Sequence, residues 1–315
     1  MDSLRAYLRL FRWPNLLMIA LTQYLLRHVI ILPLFGGSGL PEHLFLLFVL
    51  ATLFLSAAGY AVNDFYDLRT DRINRPDKQV LVRRLPRHHA LRAYVVLVIL
   101  SLLTTAWLSH QMVYYPLLWL FAGVALSSWL YSAVLKRTFL VGNLFISILA
   151  ALMVLLVWMI EHHAFVHSSG YPGPCFFSAA PVVVAYALFA AFSTLLRELL
   201  KDLEDFRGDL RAGRKTLPVV LGVGNTKRVA TVLTLIILGG IAVTKVLVFG
   251  AGTLWLSAYL LVAVLLPFLV LLFSLMGLAG PSNFPLAQRL VKFAMLTGIL
   301  SMLILSAYFN QLWNC

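Results

Sequence analysis

Charged residues are scarce in this 315-residue chain: only 12% of positions carry charge, and just 12 residues are acidic. Cysteine is nearly absent as well: Cys175 and Cys315 could pair with each other, but two cysteines in a membrane protein are more often unpaired. Hydrophobic residues make up 61% of the chain, and the mean hydropathy is +0.91. A soluble domain does not carry such a composition, so the sequence indicates an integral membrane protein.

Apolar runs of about the length of a membrane span recur along the whole chain. Polar segments and Gly or Pro residues separate them, and this punctuation predicts nine transmembrane helices. The predicted spans are 14–35, 43–62, 91–109, 113–134, 139–160, 179–199, 229–249, 252–275 and 289–310.

The Lys and Arg residues fall almost entirely on one predicted side of the membrane. With nine spans and the amino terminus inside, all except Arg27 and Lys245 lie in or next to inner segments. Since cytoplasmic loops carry the excess of basic residues, we expect the amino terminus and the acidic segments to lie on the cytoplasmic side. The membrane is expected to be the cell inner membrane. Arg27 and Lys245 are expected to reach the outer interface. The net charge of +13 then suits membrane lipids or a phosphorylated substrate, and no nucleic acid is expected as a partner.

Nine of the 12 acids are concentrated in two inner segments, after the second and the sixth span. The first segment holds Asp64, Asp67 and Asp71, which are spaced at i, i+3 and i+7. The second segment repeats these offsets with Asp202, Asp205 and Asp209. If each helix continues to that point, each set lies on one helical face.

Like charges on one helical face repel each other, so each acidic set needs cations nearby. Basic residues follow both sets, and either set alone could be a solvated face balanced by Lys and Arg. Two matched sets favour divalent metal, because Mg²⁺ takes carboxylate oxygens and completes its coordination with water and phosphate. The sequence therefore predicts a site in which Mg²⁺ joins a diphosphate to both acidic sets, with arginines on the remaining phosphate oxygens.

These residues resemble the motifs of the UbiA superfamily of intramembrane prenyltransferases. The first motif of that family, N-D-x-x-D-x-x-x-D, is present at 63–71, and the second, D-x-x-x-D, at 205–209. Further matches are "RWPN" at 12–15, "NRP" at 74–76, "YSAVLKR" at 131–137 and "GN" at 142–143. The stretch "RELLKDLEDFRGD" followed by "GRKTLP" most resembles the digeranylgeranylglyceryl phosphate synthase branch.

The resemblance implies an all-α fold, a bundle of nine transmembrane helices around a central cavity. It implies a single domain over 1–315, with inner loops 63–90 and 200–228 capping the active site. The residues with implied catalytic roles are Asn63, Asp64, Asp67, Asp71, Asp202, Asp205 and Asp209. Those implied to hold Mg²⁺ are Asn63, Asp67, Asp71, Asp205 and Asp209. The implied substrate-binding residues are Asn15, Arg72, Arg75, Tyr131, Lys136 and Lys201.

The implied reaction transfers a prenyl group from an allylic prenyl diphosphate, such as geranylgeranyl diphosphate, to a lipophilic acceptor and releases pyrophosphate. The favoured acceptor is a prenylglycerol phosphate, which would give an ether lipid; an aromatic quinone precursor is the alternative. The chain departs from the family pattern after Pro76, in a loop that bears on the acceptor. Two other classes are less favoured. A phospholipid phosphotransferase would need D-G and A-R pairs that the sequence lacks, and a transporter would carry charge at the midplanes of its spans.

Overall fold

The computed structural model describes residues 2–34, 39–74, 81, 85–169, 174–250, 253–277 and 284–308. Within these ranges the chain forms helices and no β-strand, which confirms the all-α prediction. The helices are α1 Asp2–Leu10, α2 Trp13–Leu25, α3 Leu32–Leu34, α4 Glu42–Asn74, α5 Arg87–Gln111, α6 Pro116–Ala133, α7 Val141–Ser169, α8 Pro174–Arg211, α9 Leu217–Leu247, α10 Leu254–Tyr259, α11 Leu266–Gly277 and α12 Phe284–Ser306. Two π-helical segments, Leu26–Ile31 and Leu260–Leu265, and a 3₁₀ turn, Leu135–Arg137, connect some of them.

Nine helical stretches among the described residues are long and apolar enough to cross a membrane, as predicted. Several helices extend well beyond the apolar runs. The seventh span was predicted to begin at residue 229, but α9 begins at Leu217. Gly222, at a φ of 81° that favours glycine, kinks α9 and separates its first turn from the rest. The lengths of the apolar runs therefore predicted where the spans lie, but not how far each helix continues into polar sequence.

The chain divides into two compact units. The first unit comprises Met1–Ala20, Leu40–Gly142 and Arg207–Arg214, and the second comprises Leu21–Gly39, Asn143–Phe206 and Lys215–Cys315.

In the first unit, α4, α5 and α6 pack against one another. Ser101 on α5 donates a 2.9 Å hydrogen bond to the carbonyl of Ala51 on α4, and Phe48 meets the edge of Phe121 on α6. In lipid, burial of apolar surface gives helices little reason to associate, because the lipid tails are equally apolar. Short polar side chains such as serine let helices approach closely and form hydrogen bonds between them. Helix α1 packs its small and apolar face, Ala6 and Leu10, into the same unit.

In the second unit, α12 packs against the π-helical segment and α11. Pro267 has no N–H group to donate back along the helix, and the carbonyl of Ala263 accepts a 2.6 Å hydrogen bond from Thr297 on α12. Tyr186 on α8 and Ser301 on α12 share a buried 2.8 Å hydrogen bond. Apolar contacts and a few satisfied polar groups thus hold this unit together.

The expectation that Arg27 reaches the outer interface was wrong. Its side chain lies in the π-helical segment, only 2% exposed, and its Nε donates a 2.6 Å bond to Oε1 of Glu161 on α7. Glu161 is itself fully buried. A charge in an apolar interior is tolerated only when it is paired, and here the partner is 134 residues away in sequence. Lys245 bonds the carbonyl of Gly250 at the end of α9.

Candidate active site

The first acidic motif lies on α4, which continues as a helix through Asn74, beyond the apolar run that was predicted as the span. Helical periodicity therefore places Asn63 and Asp67 on one face. The Asn63 amide donates a 3.0 Å hydrogen bond to Oδ2 of Asp67, and both side chains are buried. The amide thus orients the carboxylate from one helical turn away.

A lysine from the turn after α6 reaches the same face of α4. The ammonium of Lys136 donates a 2.9 Å hydrogen bond to Oδ1 of Asn63 and also bonds Oδ2 of Asp67. Gly142 permits this turn, because a Cβ there would lie 3.0 Å from the carbonyl oxygen of Leu135 and from Cα of Lys136. The close approach of the two backbone segments thus brings Lys136 to the first motif.

The second acidic motif lies at the end of α8. This helix closes with two characteristic backbone bonds, from Arg214 N–H to the Asp209 carbonyl at 3.0 Å and from Gly213 N–H to the Leu210 carbonyl at 3.2 Å. Gly213 adopts a φ of 68°, the left-handed conformation that this type of helix cap requires. The cap turns the chain back, so that Arg214 lies beside Asp209.

Arg214 joins the two acidic motifs. Its Nη2 donates a 2.8 Å hydrogen bond to Oδ1 of Asp67, while its Nη1 lies 3.6 Å from Oδ1 of Asp209. The carboxylate residues are 6% and 2% exposed, respectively. Asp67 thus contacts two bases, Lys136 and Arg214, in a largely buried cluster.

Asp64 faces a different base from its neighbour Asp67. It forms a 2.8 Å ion pair with Nη2 of Arg12, the first residue of the "RWPN" stretch. The guanidinium carbon of Arg12 also lies 5.0 Å from the ring centroid of Tyr60. Arg12 has a φ of 51°, which is uncommon outside glycine, and such backbone conformations persist only where surrounding contacts hold them. The ion pair and the aromatic face are two such contacts.

The remaining acids of the second motif lie on α8 in the second unit. Asp202 accepts a 2.7 Å hydrogen bond from the amide of Asn143, which belongs to the "GN" pair at the start of α7. Lys201 lies 3.8 Å from Glu198 on the same helix. Asp205 is half-buried, one helical turn before Asp209. Asp205 and Asp209 therefore lie on one face of the helix.

Other predicted site residues are described only in part. Asn15 is half-buried in α2 and Tyr131 is buried in α6. Asp71 and Arg72 belong to α4, but their side chains lie outside the described part of the structure, and so does the whole of Arg75.

The donor chemistry of the cluster suits a hard divalent cation. Carboxylate and amide oxygens are the ligands that Mg²⁺ accepts; Asp67 and Asp209 supply carboxylates beside the Arg214 guanidinium, and Asn63 supplies an amide beside Asp67. Among the side chains that the structure describes, no three His, Cys, Asp or Glu residues converge as a set of metal ligands. Among the described side chains, the two acids that the structure brings to one base are Asp67 and Asp209, and that base is Arg214.

Sequence reasoning noted Arg214 only as one of several bases that follow the second motif. Its contact with Asp67 depends on a left-handed cap, and the signal available was a glycine four residues after Asp209 and directly before an arginine. The same reasoning recognised "RWPN" as a motif but did not pair Arg12 with Asp64.

The second unit contains an apolar cleft of about 160 Å³ between α8, α9 and α12. Aromatic side chains, among them Phe189, Phe192 and Phe249, line it. Gly298 makes room for one of these rings, because a Cβ there would lie 2.4 Å from Phe189. The lining of the cleft is therefore almost entirely apolar.

Comparisons with known proteins agree with the motifs and the fold. The model of the UbiA prenyltransferase family matches residues 28–296. A digeranylgeranylglyceryl phosphate synthase from Methanopyrus kandleri is 33% identical, over 95% of this chain and 98% of that protein. A solved structure from work on digeranylgeranylglyceryl phosphate synthase in membranes aligns with a TM-score of 0.60 at 22% identity, covering 97% of this chain and 99% of the other. A UbiA homolog from Archaeoglobus fulgidus, bound to GPP and Mg²⁺, aligns with a TM-score of 0.56 at 19% identity, covering 96% and 99%. The expected UbiA-like fold is thereby confirmed.

Proposed function

The chain belongs to the UbiA prenyltransferase family and is an integral, multi-pass membrane protein, and on that premise we propose that it transfers a prenyl group from an allylic prenyl diphosphate to a prenylglycerol phosphate in the presence of Mg²⁺. The observation that carries this proposal is the meeting of Asp67 and Asp209, one from each motif, with Lys136 and Arg214. Acids for metal and bases for phosphate are what a diphosphate site requires.

In the proposed site, Asn63, Asp67 and Asp209 would hold Mg²⁺, together with Asp71 and Asp205 from the same two helices. When bound, the metal polarises the diphosphate oxygens and stabilises the leaving pyrophosphate. Asp64 and Asp202 support the two acidic faces, since each already has a partner from another segment, Arg12 and Asn143.

The bases of the site neutralise the rest of the substrate charge. Lys136, which lies on Asp67 and Asn63, is within the same cluster and is proposed to hold diphosphate oxygens. Lys201, Arg72, Arg75 and Asn15 are proposed to add further polar contacts, and Tyr131 to contact the reacting end of the chain. These roles rest on the family resemblance of the surrounding motifs.

The proposed reaction breaks the allylic C–O bond, and the diphosphate leaves with the bonding electron pair. The acceptor hydroxyl oxygen then forms the new C–O bond and loses its proton, which gives an ether. The apolar spans suit the prenyl chain, and exclusion of water by apolar side chains would protect the cationic carbon.

The acceptor and the orientation are also part of the proposal. A prenylglycerol phosphate is favoured over an aromatic quinone precursor because the Methanopyrus kandleri relative, at 33% identity over nearly the full length, is a digeranylgeranylglyceryl phosphate synthase. The concentration of Lys and Arg in the inner segments supports the proposal that the amino terminus and the active site lie on the cytoplasmic face of the cell inner membrane. The inner segments 63–90 and 200–228, which were predicted as loops but include the polar ends of α4 and α8 and the starts of α5 and α9, are proposed to cap one domain that spans 1–315.

A substrate matrix tests this function directly. Purified protein with Mg²⁺ is incubated with prenyl diphosphates of increasing length, each against a prenylglycerol phosphate and a hydroxybenzoate acceptor, and products are identified by mass spectrometry. We expect pyrophosphate release and an ether product with the glycerol phosphate acceptor. A prenylated aromatic product alone would overturn the acceptor assignment.

Chelation provides the matching test of the metal. EDTA is expected to abolish turnover and added Mg²⁺ to restore it, because without metal the carboxylates of the site repel the diphosphate. Turnover that persists unchanged in EDTA would contradict the proposed role of the two acidic motifs.

A further inference from the structure

Arg214 occupies the space between two acids that the proposed function assigns to metal. Its guanidinium donates to Asp67 at 2.8 Å and lies 3.6 Å from Asp209. The Arg214 side chain is 10% exposed, so these contacts lie in a largely dehydrated environment. Arg214 therefore neutralises both carboxylates at once.

The backbone holds Arg214 in this place. Gly213, at a φ of 68°, directs the chain back against the last turn of α8, and Arg214 N–H bonds the Asp209 carbonyl at 3.0 Å. A Cβ on Gly213 would meet nothing within 4 Å, so the glycine is needed for its conformation and not for space. The arginine and its acid thus belong to the same capped helix end.

Two nearly buried carboxylates cannot lie close together without cations. Asp67 receives hydrogen bonds from both Lys136 and Arg214, and Arg214 also faces Asp209. A guanidinium and a divalent ion are both drawn to the same carboxylate oxygens and repel each other at close range. Metal that arrives alone must displace Arg214 from its acids, whereas metal that arrives with diphosphate supplies new anionic oxygens for the guanidinium.

We infer that Arg214 is a positioning residue that serves as the counter-ion of Asp67 and Asp209 before metal binds, and that it makes metal binding depend on diphosphate. This inference rests on the proposed function, because it takes these two acids as metal ligands. Arg214 holds the two acids together and opposes the binding of divalent metal without its diphosphate partner.

The test measures Mn²⁺ binding to the purified full-length chain in detergent by electron paramagnetic resonance of free Mn²⁺. Binding is measured with and without methylenediphosphonate as an uncleavable diphosphate. In Arg214→Gln we expect affinity for Mn²⁺ alone to increase about tenfold, because one competing charge is removed. The enhancement of Mn²⁺ affinity by methylenediphosphonate is expected to shrink correspondingly.

The matched control is Arg211→Gln, which removes the same charge from the same end of α8. Arg211 is exposed, so its substitution is expected to leave Mn²⁺ affinity within about twofold. An equal gain in both variants would mean that only net charge matters and would overturn the inference. Unchanged or weaker Mn²⁺ binding in Arg214→Gln would overturn it as well.

A second variant keeps the test decisive if Arg214→Gln does not fold. Arg214→Lys retains the charge but loses the two-pronged guanidinium, so a gain of about threefold in Mn²⁺ affinity is expected. No gain in Arg214→Lys would then count against the inference. Failure of the proposed function would appear separately, as wild-type protein that releases no pyrophosphate from any prenyl diphosphate, whatever the variants do with Mn²⁺.

Discussion

In the second unit Arg27 forms an ion pair with Glu161, whereas in the first unit Lys136 and Arg214 both bond Asp67, and Arg214 also lies near Asp209. Both members of the first pair are almost completely buried, at 2% and 0% exposure. The bases around Asp67 keep 14% and 10% of their side chains exposed. The buried pair is suited to holding helices in place, while the partly exposed cluster has bases that can turn to another anion.

The two regions also differ in the backbone that carries them. Arg27 and Glu161 lie within continuous helical segments. Lys136 and Arg214 lie just beyond helix ends, in a 3₁₀ turn and a left-handed cap. Helix ends can place a side chain toward a ligand and still leave room for one, so the difference separates a structural ion pair from a binding site.

Asp67→Asn is expected to produce the largest effect and to fall on catalysis. Loss of a metal-binding carboxylate should lower kcat by about 10³-fold, while the two bases lose their shared anion. Steady-state pyrophosphate release measures this. Glu42→Gln, at the opposite end of α4, is the matched control and should retain activity. Equal rates in wild type and Asp67→Asn would remove the distinction between the two regions.

Arg27→Met is expected to act on stability instead. It leaves Glu161 buried without its main cation, and breaking such a pair costs about 3–5 kcal/mol. Thermal unfolding in detergent should show a large fall in Tm, with turnover per folded molecule unchanged.

The double variant Arg27→Met with Glu161→Leu sharpens this prediction. Because it removes both charges, it is expected to regain much of the lost stability. A double variant as unstable as Arg27→Met would show that the helices need the bulk of these side chains and not their charge.

Gly213→Ala is expected to have the smallest effect, because it disturbs the site only through the cap. An alanine at a φ of 68° costs about 1 kcal/mol of stability. Gly213→Asn should cost less, since asparagine tolerates this conformation. Thermal unfolding of both variants measures the order, and an alanine variant more stable than the asparagine one would contradict the role given to the cap.

Much of this molecule could be predicted from its sequence. Apolar runs gave nine spans because backbone groups in lipid must bond within a helix. The offsets of Asp67 and Asp209 within their motifs predicted two acidic faces, and the structure brings these two residues to one guanidinium.

The contacts that were not predicted depend on backbone conformation and on pairing between distant segments, and the periodicity of the sequence indicates neither. Arg214 reaches Asp67 because Gly213 adopts a left-handed conformation. Other residues at position 213 would leave the apolar pattern of the sequence unchanged, so that pattern does not reveal the cap. Glu161 follows directly after the predicted span 139–160, and its pairing with Arg27 could not be predicted because it joins residues 134 positions apart. In both cases, the position of a base near the end of an apolar run did not determine which acid its side chain contacts.

Helix α4 has 33 residues and α8 has 38, so at 1.5 Å per residue they are about 50 and 57 Å long. A bilayer core is only about 30 Å thick, so roughly 20 Å of α4 and about 27 Å of α8 extend beyond it into the head-group layer or water. The acidic motifs occupy these ends. A reaction there would separate its own products: the released diphosphate would enter the aqueous phase, and the lengthened lipid would remain among the acyl chains. Partition between two solvents, without any moving part, would then oppose the reverse reaction.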